Sequence, residues 1–323
     1  MAKPKIVVTR RWPAAVEAVL AERYDATFNV ADVPMDRAAM RQALVEADAV
    51  LPTVVDKLDH AVFEGLTPRA RILANYGVGF SHIDIDAATA HGIVVTNTPD
   101  VLSECTADIA LTLILMVARR AGEGERELRA GQWTGWRPTH LVGTKVSGKT
   151  LGIIGFGRIA QAVARRAHFG FGMRVIACNR SPIPSDVLRT TGASVRQTID
   201  EIMTEADFVS LHIPGGARNR HLIGAEHIHR MKRDAFLINT ARGEVVDEEA
   251  LLTALNEKRI SGAGLDVFDG EPAVNPRFLS LNNVVLLPHL GSATRESREA
   301  MGFRALENLD AFFGGQAIPD RVA

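Results

Sequence analysis

GTKVSGKTLGIIGFGRIA, residues 143–160, contains two phosphate-binding patterns that compete for the same function. Residues 143–150 fit GxxxxGK[ST], the loop of ATP- and GTP-using proteins. Residues 155–160 fit GxGxx[GA], the fingerprint of dinucleotide-binding proteins. Because only one of them can be the working loop, the choice decides both the fold and the cofactor.

The order of the neighbouring elements favours the second pattern. A phosphate-binding loop follows a strand and opens a helix, since the helix N-terminus supplies free N–H groups and a favourable dipole. Turn-rich sequence precedes Gly143 and a strand-like apolar run follows Thr150, so the first pattern has the wrong order. By contrast, 150–155 predicts a strand and 158–169 predicts a helix, with the glycine turn between them.

The residue types within this turn suit a pyrophosphate. Gly155 permits a sharp turn, Gly157 has no Cβ to block the phosphates, and Ala160 allows the helix to pack closely on the strand. The sequence therefore predicts a Rossmann unit, and its cofactor loop consists of Gly155, Phe156, Gly157, Arg158 and Ile159.

Apolar runs and helical patterns alternate on both sides of the turn, which is typical of parallel α/β sheets. The further predicted strands lie at 5–10, 48–51, 71–76, 93–97, 173–178, 207–213, 235–240, 263–268 and 283–288. One long helix is predicted over 101–130, a loop over 131–150 and a final helix over 293–313. We expect two doubly wound domains, with a Rossmann domain at 99–291 inserted between 1–98 and 292–323.

Composition limits the possible function classes. The chain has 323 residues, 46% apolar and 23% charged, with a formal net charge of −1. No strong field attracts nucleic acid or an anionic membrane, and the longest apolar run, 109–118, is shorter than the ~20 residues of a membrane helix. Cys105 and Cys178 form no paired motif and are interpreted as packing residues. These features predict a cytoplasmic protein that binds neither nucleic acid nor membrane.

The end of the strand after the turn predicts the cofactor. NAD-binding proteins place an acidic residue there, ~20 positions on, to bind the ribose 2′-OH. Here Asn179 stands at that position and Arg180 and Ser181 follow. Asn, unlike a carboxylate, does not repel a 2′-phosphate. Arg180 adds a cation that can pair with this phosphate, and Ser181 adds a hydrogen-bond donor. We expect NADP(H) to be preferred, with NAD(H) possible.

Three later segments carry chemically suggestive residues near predicted strand ends. Arg242 follows one strand, Glu271 follows the strand that contains Asp266, and His289 follows the next. In open α/β sheets, ligands bind outside the carboxyl ends of the strands. We therefore expect Arg242, Glu271 and His289 to form one catalytic set.

The segments around these residues resemble a known family. TARGEVVDEEAL, GLDVFDGEP and LLPHLGSAT, together with NYGVGFSHIDIDAA at 75–88, are similar to signature segments of the D-isomer-specific 2-hydroxyacid dehydrogenases. The resemblance covers almost the whole chain, and it implies that the two outer segments, 1–98 and 292–323, form a flavodoxin-like substrate domain. The segment GQWTGWRP at 131–138 and the cofactor corner at 179–181 resemble the glyoxylate/hydroxypyruvate reductases of that family most.

The residue types fit the chemistry that the resemblance implies, reduction of a small 2-oxo acid. Arg242 offers planar, permanently charged donors for the carboxylate and the carbonyl. His289 can donate a proton to the oxygen that becomes negative as hydride arrives, and Glu271 favours its imidazolium form.

The resemblance implies further roles. It assigns the N–H groups of Val78 and Gly79 to the substrate carboxylate, and it implies a homodimer in which Trp136 reaches the neighbouring active site. Trp133 and Trp136 can alternatively anchor their own loop. The implied cofactor contacts are Thr106 near the phosphates, Thr240 and Gly291 near the nicotinamide, and Asp266 at the carboxamide.

Other functions remain open at this level. A dinucleotide-sensing corepressor would use the same architecture, and other members of the family act on different 2-hydroxy acids. His221, His227 and His229 raise the alternative of a metal site. Alternate residues of a helix point to different faces, so surface histidines are favoured and no metal site is predicted.

Overall fold

The structure, a computed structural model, describes residues 2–323 and divides into two compact units. One unit runs to Leu102 and resumes at Ala293–Ala323, and the other is Ser103–Ser292. The sequence analysis placed these joints at 98–99 and 291–292. Within residues 2–323, no helix combines the length and hydropathy needed to cross a membrane.

The first unit is a five-stranded parallel sheet with helices between its strands. Its elements are β1 Lys5–Val8, α1 Ala14–Arg23, β2 Asp25–Phe28, α2 Arg37–Glu46, β3 Ala49–Leu51, α3 His60–Phe63, β4 Ile72–Ala74, α4 Ile85–Ala90, β5 Val94–Thr96 and, after the second unit, α12 Arg295–Phe313. The strand order β2-β1-β3-β4-β5 is the flavodoxin-like order. β3 and β4 are buried on both faces, as parallel strands covered by helices must be.

The second unit is a seven-stranded parallel sheet. Its elements are α5 Ser103–Ala118, α6 Ala121–Arg129, β6 Thr150–Ile154, α7 Arg158–Arg165, β7 Arg174–Cys178, α8 Ser185–Thr191, β8 Ala193–Val195, α9 Ile199–Glu205, β9 Phe208–Leu211, α10 Ala225–Arg230, β10 Phe236–Asn239, α11 Glu248–Asn256, β11 Gly262–Leu265 and β12 Val284–Leu286. The strand order is β12-β11-β10-β9-β6-β7-β8, so the chain adds β7 and β8 on one side of β6 and then β9 to β12 on the other. The order of connection therefore reverses between β6 and β9, although all strands are parallel. This is a Rossmann sheet, and its ligand crevice is expected at that reversal. The predicted fold class is confirmed in both units.

The prediction of one long helix over 101–130 is wrong. The chain breaks after α5, and Arg120 adopts a left-handed backbone with φ 53°. The returning chain explains the break: the N–H of Thr144 donates to the carbonyl oxygen of Ala118 at 2.7 Å and caps α5. A Cβ at Gly143 would lie 2.3 Å from the same oxygen, so only glycine allows this approach.

Candidate active site

The glycine turn between β6 and α7 has the form that a dinucleotide requires. Gly155 has φ 84°, and a Cβ there would lie 2.4 Å from the carbonyl oxygen of His212. Around Gly157, by contrast, the space that a Cβ would occupy is open to 4 Å. Phe156 is buried in the core and holds the turn, while Arg158 begins α7 at the surface. The sequence GxGxx[GA] therefore marks the turn that opens a helix, and Lys149–Thr150 leads only into a strand.

Asn179 shapes the corner next to this turn. Its Oδ1 accepts the N–H of Phe156 at 3.0 Å, and its Nδ2 donates to the carbonyl oxygen of Ser181 at 2.9 Å. The side chain thus joins the glycine turn to the loop after β7, a role that sequence reasoning did not assign. Arg180 and Ser181 are exposed beside it.

The end of β10 carries polar groups suited to a bound ligand. The Oγ1 of Thr240 is buried and has no hydrogen-bond partner in the described part of the chain. Because an orphaned buried hydroxyl is costly, a bound polar group is the expected partner. Asn239, which sequence reasoning missed, accepts the N–H of Ala241 and donates to the carbonyl oxygen of Arg242. It fixes the backbone that carries the predicted catalytic arginine.

Arg242 is brought to the glutamate loop by the glycine that follows it. A Cβ at Gly243 would lie 1.8 Å from the carbonyl carbon of Phe268 and 2.2 Å from the nitrogen of Asp269. No other residue permits this contact between the arginine turn and the segment that leads to Glu271. Burial lowers the pKa of Arg242, and the carboxylates of Glu271 and Glu244 oppose that shift. Since an arginine starts from a very high pKa, it remains a cation.

Glu271 and His289 form the central pair. The Nδ1 of His289 lies 2.7 Å from Oε2 of Glu271, and Oε1 of Glu271 accepts the N–H of Phe268 at 2.9 Å. Burial raises the pKa of Glu271, but the hydrogen bond and charge of His289 outweigh it and lower the pKa overall. The carboxylate is therefore ionised at neutral pH. With Nδ1 held in this way, Nε2 is the ring nitrogen left to exchange a proton.

Asp266 organises the backbone around His289. Its carbonyl oxygen accepts the N–H of His289 at 2.9 Å, and its carboxylate accepts the N–H groups of Leu290 and Gly291 at 2.7 and 2.8 Å. These bonds hold His289 in a left-handed conformation with φ 54°. Asp266 is only 1% exposed, and burial raises the pKa of its carboxyl group despite the two backbone donors. The predicted contact of Asp266 with a carboxamide stays a prediction.

Val78 and Gly79 lie in the first unit, in the loop after β4. The Nδ2 of Asn75 donates to the carbonyl oxygens of Gly77 and Gly79 at 3.0 Å each, and Asn97 donates to that of Val78 at 2.9 Å. The N–H groups of Val78 and Gly79 themselves meet no acceptor within residues 2–323. The loop therefore uses its carbonyl oxygens in its own hydrogen bonds and leaves these two backbone donors without an acceptor among the described residues.

The remaining predicted positions, Thr106, Trp133 and Trp136, all lie in the second unit but differ in burial. Thr106 is buried in the second unit, and its Oγ1 donates to the carbonyl oxygen of Gly291 at 3.1 Å. Trp136 is 82% exposed and Trp133 is 52% exposed, both in the loop after α6.

Across the described residues, no three histidine, cysteine or acidic side chains gather as metal ligands, and both cysteines are free.

A Rossmann unit with an arginine, a glutamate and a histidine at the ends of β10, β11 and β12 defines the class of nucleotide-dependent dehydrogenases. The model of the D-isomer specific 2-hydroxyacid dehydrogenase NAD binding domain matches residues 111–291. A glyoxylate reductase of Thermococcus kodakarensis is 43% identical over 99% of this chain and 96% of its own length.

Solved structures agree with these matches. The structure of a glyoxylate reductase from Paecilomyes thermophila is similar with a TM-score of 0.87 and 30% identity, covering 100% of this chain and 99% of that one. A glyoxylate/hydroxypyruvate reductase from Sinorhizobium meliloti, solved with NADP and malonate, has a TM-score of 0.88 and 34% identity, covering 100% and 97%. The chain belongs to the D-isomer specific 2-hydroxyacid dehydrogenase family, and it is an oxidoreductase acting on 2-oxo or 2-hydroxy acids.

Proposed function

We propose that the protein reduces glyoxylate or hydroxypyruvate to the D-2-hydroxy acid with NADPH, and that His289 donates the proton. The observation that carries this proposal is the 2.7 Å contact between Nδ1 of His289 and Glu271. An ionised carboxylate at that distance stabilises the imidazolium, which is the form that a reductase needs. The choice of glyoxylate and hydroxypyruvate as substrates is based on the names of the similar proteins, which are glyoxylate and glyoxylate/hydroxypyruvate reductases.

The catalytic roles follow from the chemistry of each side chain. When bound, the nicotinamide cofactor supplies the hydride. Arg242 binds the substrate carboxylate through its planar guanidinium and polarises the adjacent carbonyl. His289 gives its Nε2 proton to the oxygen on which negative charge develops, and Glu271 keeps the ring oriented through Nδ1. In the reverse direction His289 is the base.

We propose that Val78 and Gly79 bind the substrate carboxylate through their N–H groups. Their lack of acceptors within the described chain supports this role. Two backbone donors recognise any 2-oxo acid and do not distinguish its side chain, so they set the substrate class and not its size.

For the cofactor, we propose a preference for NADPH. Arg180 and Ser181 are exposed beside the glycine turn, and Asn179 places no carboxylate there to repel a 2′-phosphate. The open space at Gly157 and the orphaned hydroxyl of Thr240 are suited to the phosphates and to the nicotinamide end, respectively. The residues proposed to hold the cofactor are Thr106, Gly155, Phe156, Gly157, Arg158, Ile159, Asn179, Arg180, Ser181, Thr240, Asp266 and Gly291.

We also propose that the protein is a cytoplasmic homodimer in which Trp136 contributes to substrate binding in the neighbouring subunit. A tryptophan with 82% of its surface exposed is unusual in a monomer, which supports a partner at this loop. The two free cysteines support a reducing compartment.

The absorbance of NADPH tests the proposal directly. Glyoxylate, hydroxypyruvate and a series of larger 2-oxo acids are each mixed with the protein and with NADPH or NADH. We expect the highest kcat/KM for a two- or three-carbon acid with NADPH. No turnover with any acid would contradict the proposal and favour a nucleotide-sensing binding protein.

A further inference from the structure

Residues 212–221, which we call the β9 loop, border the glycine turn. The N–H of His212 donates to the carbonyl oxygen of Ile154 at 2.8 Å, and its own carbonyl oxygen is the atom that excludes a Cβ from Gly155. The β9 loop therefore lies at the reversal of strand order, where the cofactor is proposed to bind.

The β9 loop is joined to the arginine turn by Glu244, which stands two residues after Arg242. Oε1 of Glu244 accepts the N–H of Gly216 at 2.5 Å, and its carbonyl oxygen accepts the N–H of His221 at 2.8 Å. The two segments then continue side by side, since Ile223 pairs with Val246 in a parallel bridge. The carboxylate of Glu244 is the only side-chain group in these bonds.

The β9 loop makes bonds of its own: the N–H of Asn219 donates to the carbonyl oxygen of Gly216 at 2.9 Å, and its Nδ2 donates to that of Pro214 at 2.9 Å. Glu244 adds an acceptor from outside the loop. Gly216 has φ 100° and no atom within 4 Å of the place where a Cβ would stand. Two consecutive glycines, Gly215 and Gly216, leave this part of the chain with many accessible conformations. A charge-assisted hydrogen bond selects one of them, and such bonds are about twice as strong as neutral ones.

A second contact joins the β9 loop to the glutamate segment. Nη2 of Arg220 lies 2.8 Å from Oδ2 of Asp269, two residues before Glu271. The N–H of Asp269 in turn donates to Oε1 of Glu248 at 2.9 Å. The β9 loop thus contacts the segments that carry both Arg242 and Glu271.

We propose that Glu244 is a positioning residue, which uses its carboxylate to hold the β9 loop against the arginine turn so that cofactor binding and the placement of Arg242 are coupled. The inference rests on the proposed function, since it assigns the β9 loop to the cofactor side and Arg242 to the substrate. Glu244 itself does not need to touch either ligand. Its effect passes through Gly216 on one side and through the backbone of the arginine turn on the other.

Hydrogen exchange tests the contact without any catalysis. In Glu244→Ala, the amides of the β9 loop should exchange roughly 10- to 100-fold faster, the range that the loss of a hydrogen bond to a charged group implies. Glu244→Gln keeps an acceptor oxygen and should lie near wild type. Glu249→Ala is the matched control, because Glu249 lies on α11 and its carboxylate pairs, within residues 2–323, with exposed Arg277 alone. Unchanged exchange in Glu244→Ala would overturn the proposal.

Binding and kinetics test the coupling. Glu244→Ala should raise both the Kd for NADPH and the KM for glyoxylate about tenfold, while Glu244→Gln restores most of both. A purely structural role would lower the melting temperature and leave Kd and KM unchanged, and that result would refute the assignment. If Glu244→Ala does not fold, Glu244→Asp withdraws the acceptor by one methylene and should show the same increases. A wild-type protein without reductase activity would refute the proposed function alone, since the exchange result does not depend on turnover.

Discussion

Replacing Glu271 with glutamine removes the charge beside His289 and keeps an oxygen that can accept its Nδ1–H. Two unit charges ~4 Å apart attract by about 4 kcal/mol at an effective dielectric constant of ~20. The side chains of His289 and Glu271 are 32% and 25% exposed, so water screens part of this attraction. With the hydrogen bond retained as well, we expect a loss of about 2 kcal/mol, or roughly 30-fold in kcat/KM for reduction.

The defect should appear in the proposed reduction and in its reverse alike, because the equilibrium constant of the reaction fixes the ratio of the two kcat/KM values at a given pH. The pKa of Glu271 is lowered from its ordinary value, so the wild-type carboxylate is charged at neutral pH, where the comparison is made. The assay is kcat/KM in both directions at neutral pH, with Glu249→Gln as the control. The absence of a defect in both directions would refute the reasoning.

Four further outcomes are expected. Burial lowers the pKa of His212 to about 4, so the ring stays neutral in the folded protein, whereas in the unfolded chain it takes up a proton below about pH 6.5. The free energy of unfolding should therefore fall by at most about 3 kcal/mol as the pH drops from about 6.5 to about 4. His212→Asn should flatten this pH dependence, measured by urea unfolding. Gly243→Ala should abolish measurable reduction or folding, because its Cβ would overlap the backbone of Phe268, and a normal rate would contradict the close approach. Asn179→Asp should move the ratio of kcat/KM values toward NADH, and an unchanged ratio would count against the cofactor proposal. Trp136→Ala should raise KM for glyoxylate in a dimer confirmed by sedimentation, whereas a fully active monomeric wild type would contradict the shared site.

Much of the fold was predictable because its signals are local. Strands such as β6 and β10 are mostly apolar and fully buried, and glycine or polar residues mark their ends. The edge strands β2 and β8 were missed because each is short and partly exposed, so neither forms a clear apolar run. The break after α5 was missed because its cause, the approach of Gly143, lies far away in the sequence.

The candidate site was also predictable only in part from the sequence. Arg242, Glu271 and His289 could be chosen from residue type and from their positions near predicted strand ends. The hydrogen bonds that fix the backbone around these residues could not be chosen in this way. Those of Asp266 join it to Leu290 and Gly291, 24 and 25 positions away, and those of Asn239 depend on the shape of the turn after β10. Glu244 gave no signal of its own, because its partner Gly216 lies 28 positions earlier and is recognised only in the folded chain.

A crystal structure of the protein with NADP⁺ and a non-reducible 2-oxo acid analogue would test the central claim most directly. We predict that the guanidinium of Arg242 lies within hydrogen-bond distance of the carboxylate, and that Nε2 of His289 lies about 3 Å from the oxygen at C2. An analogue bound with either group too far to reach it directly or through one water would contradict the account.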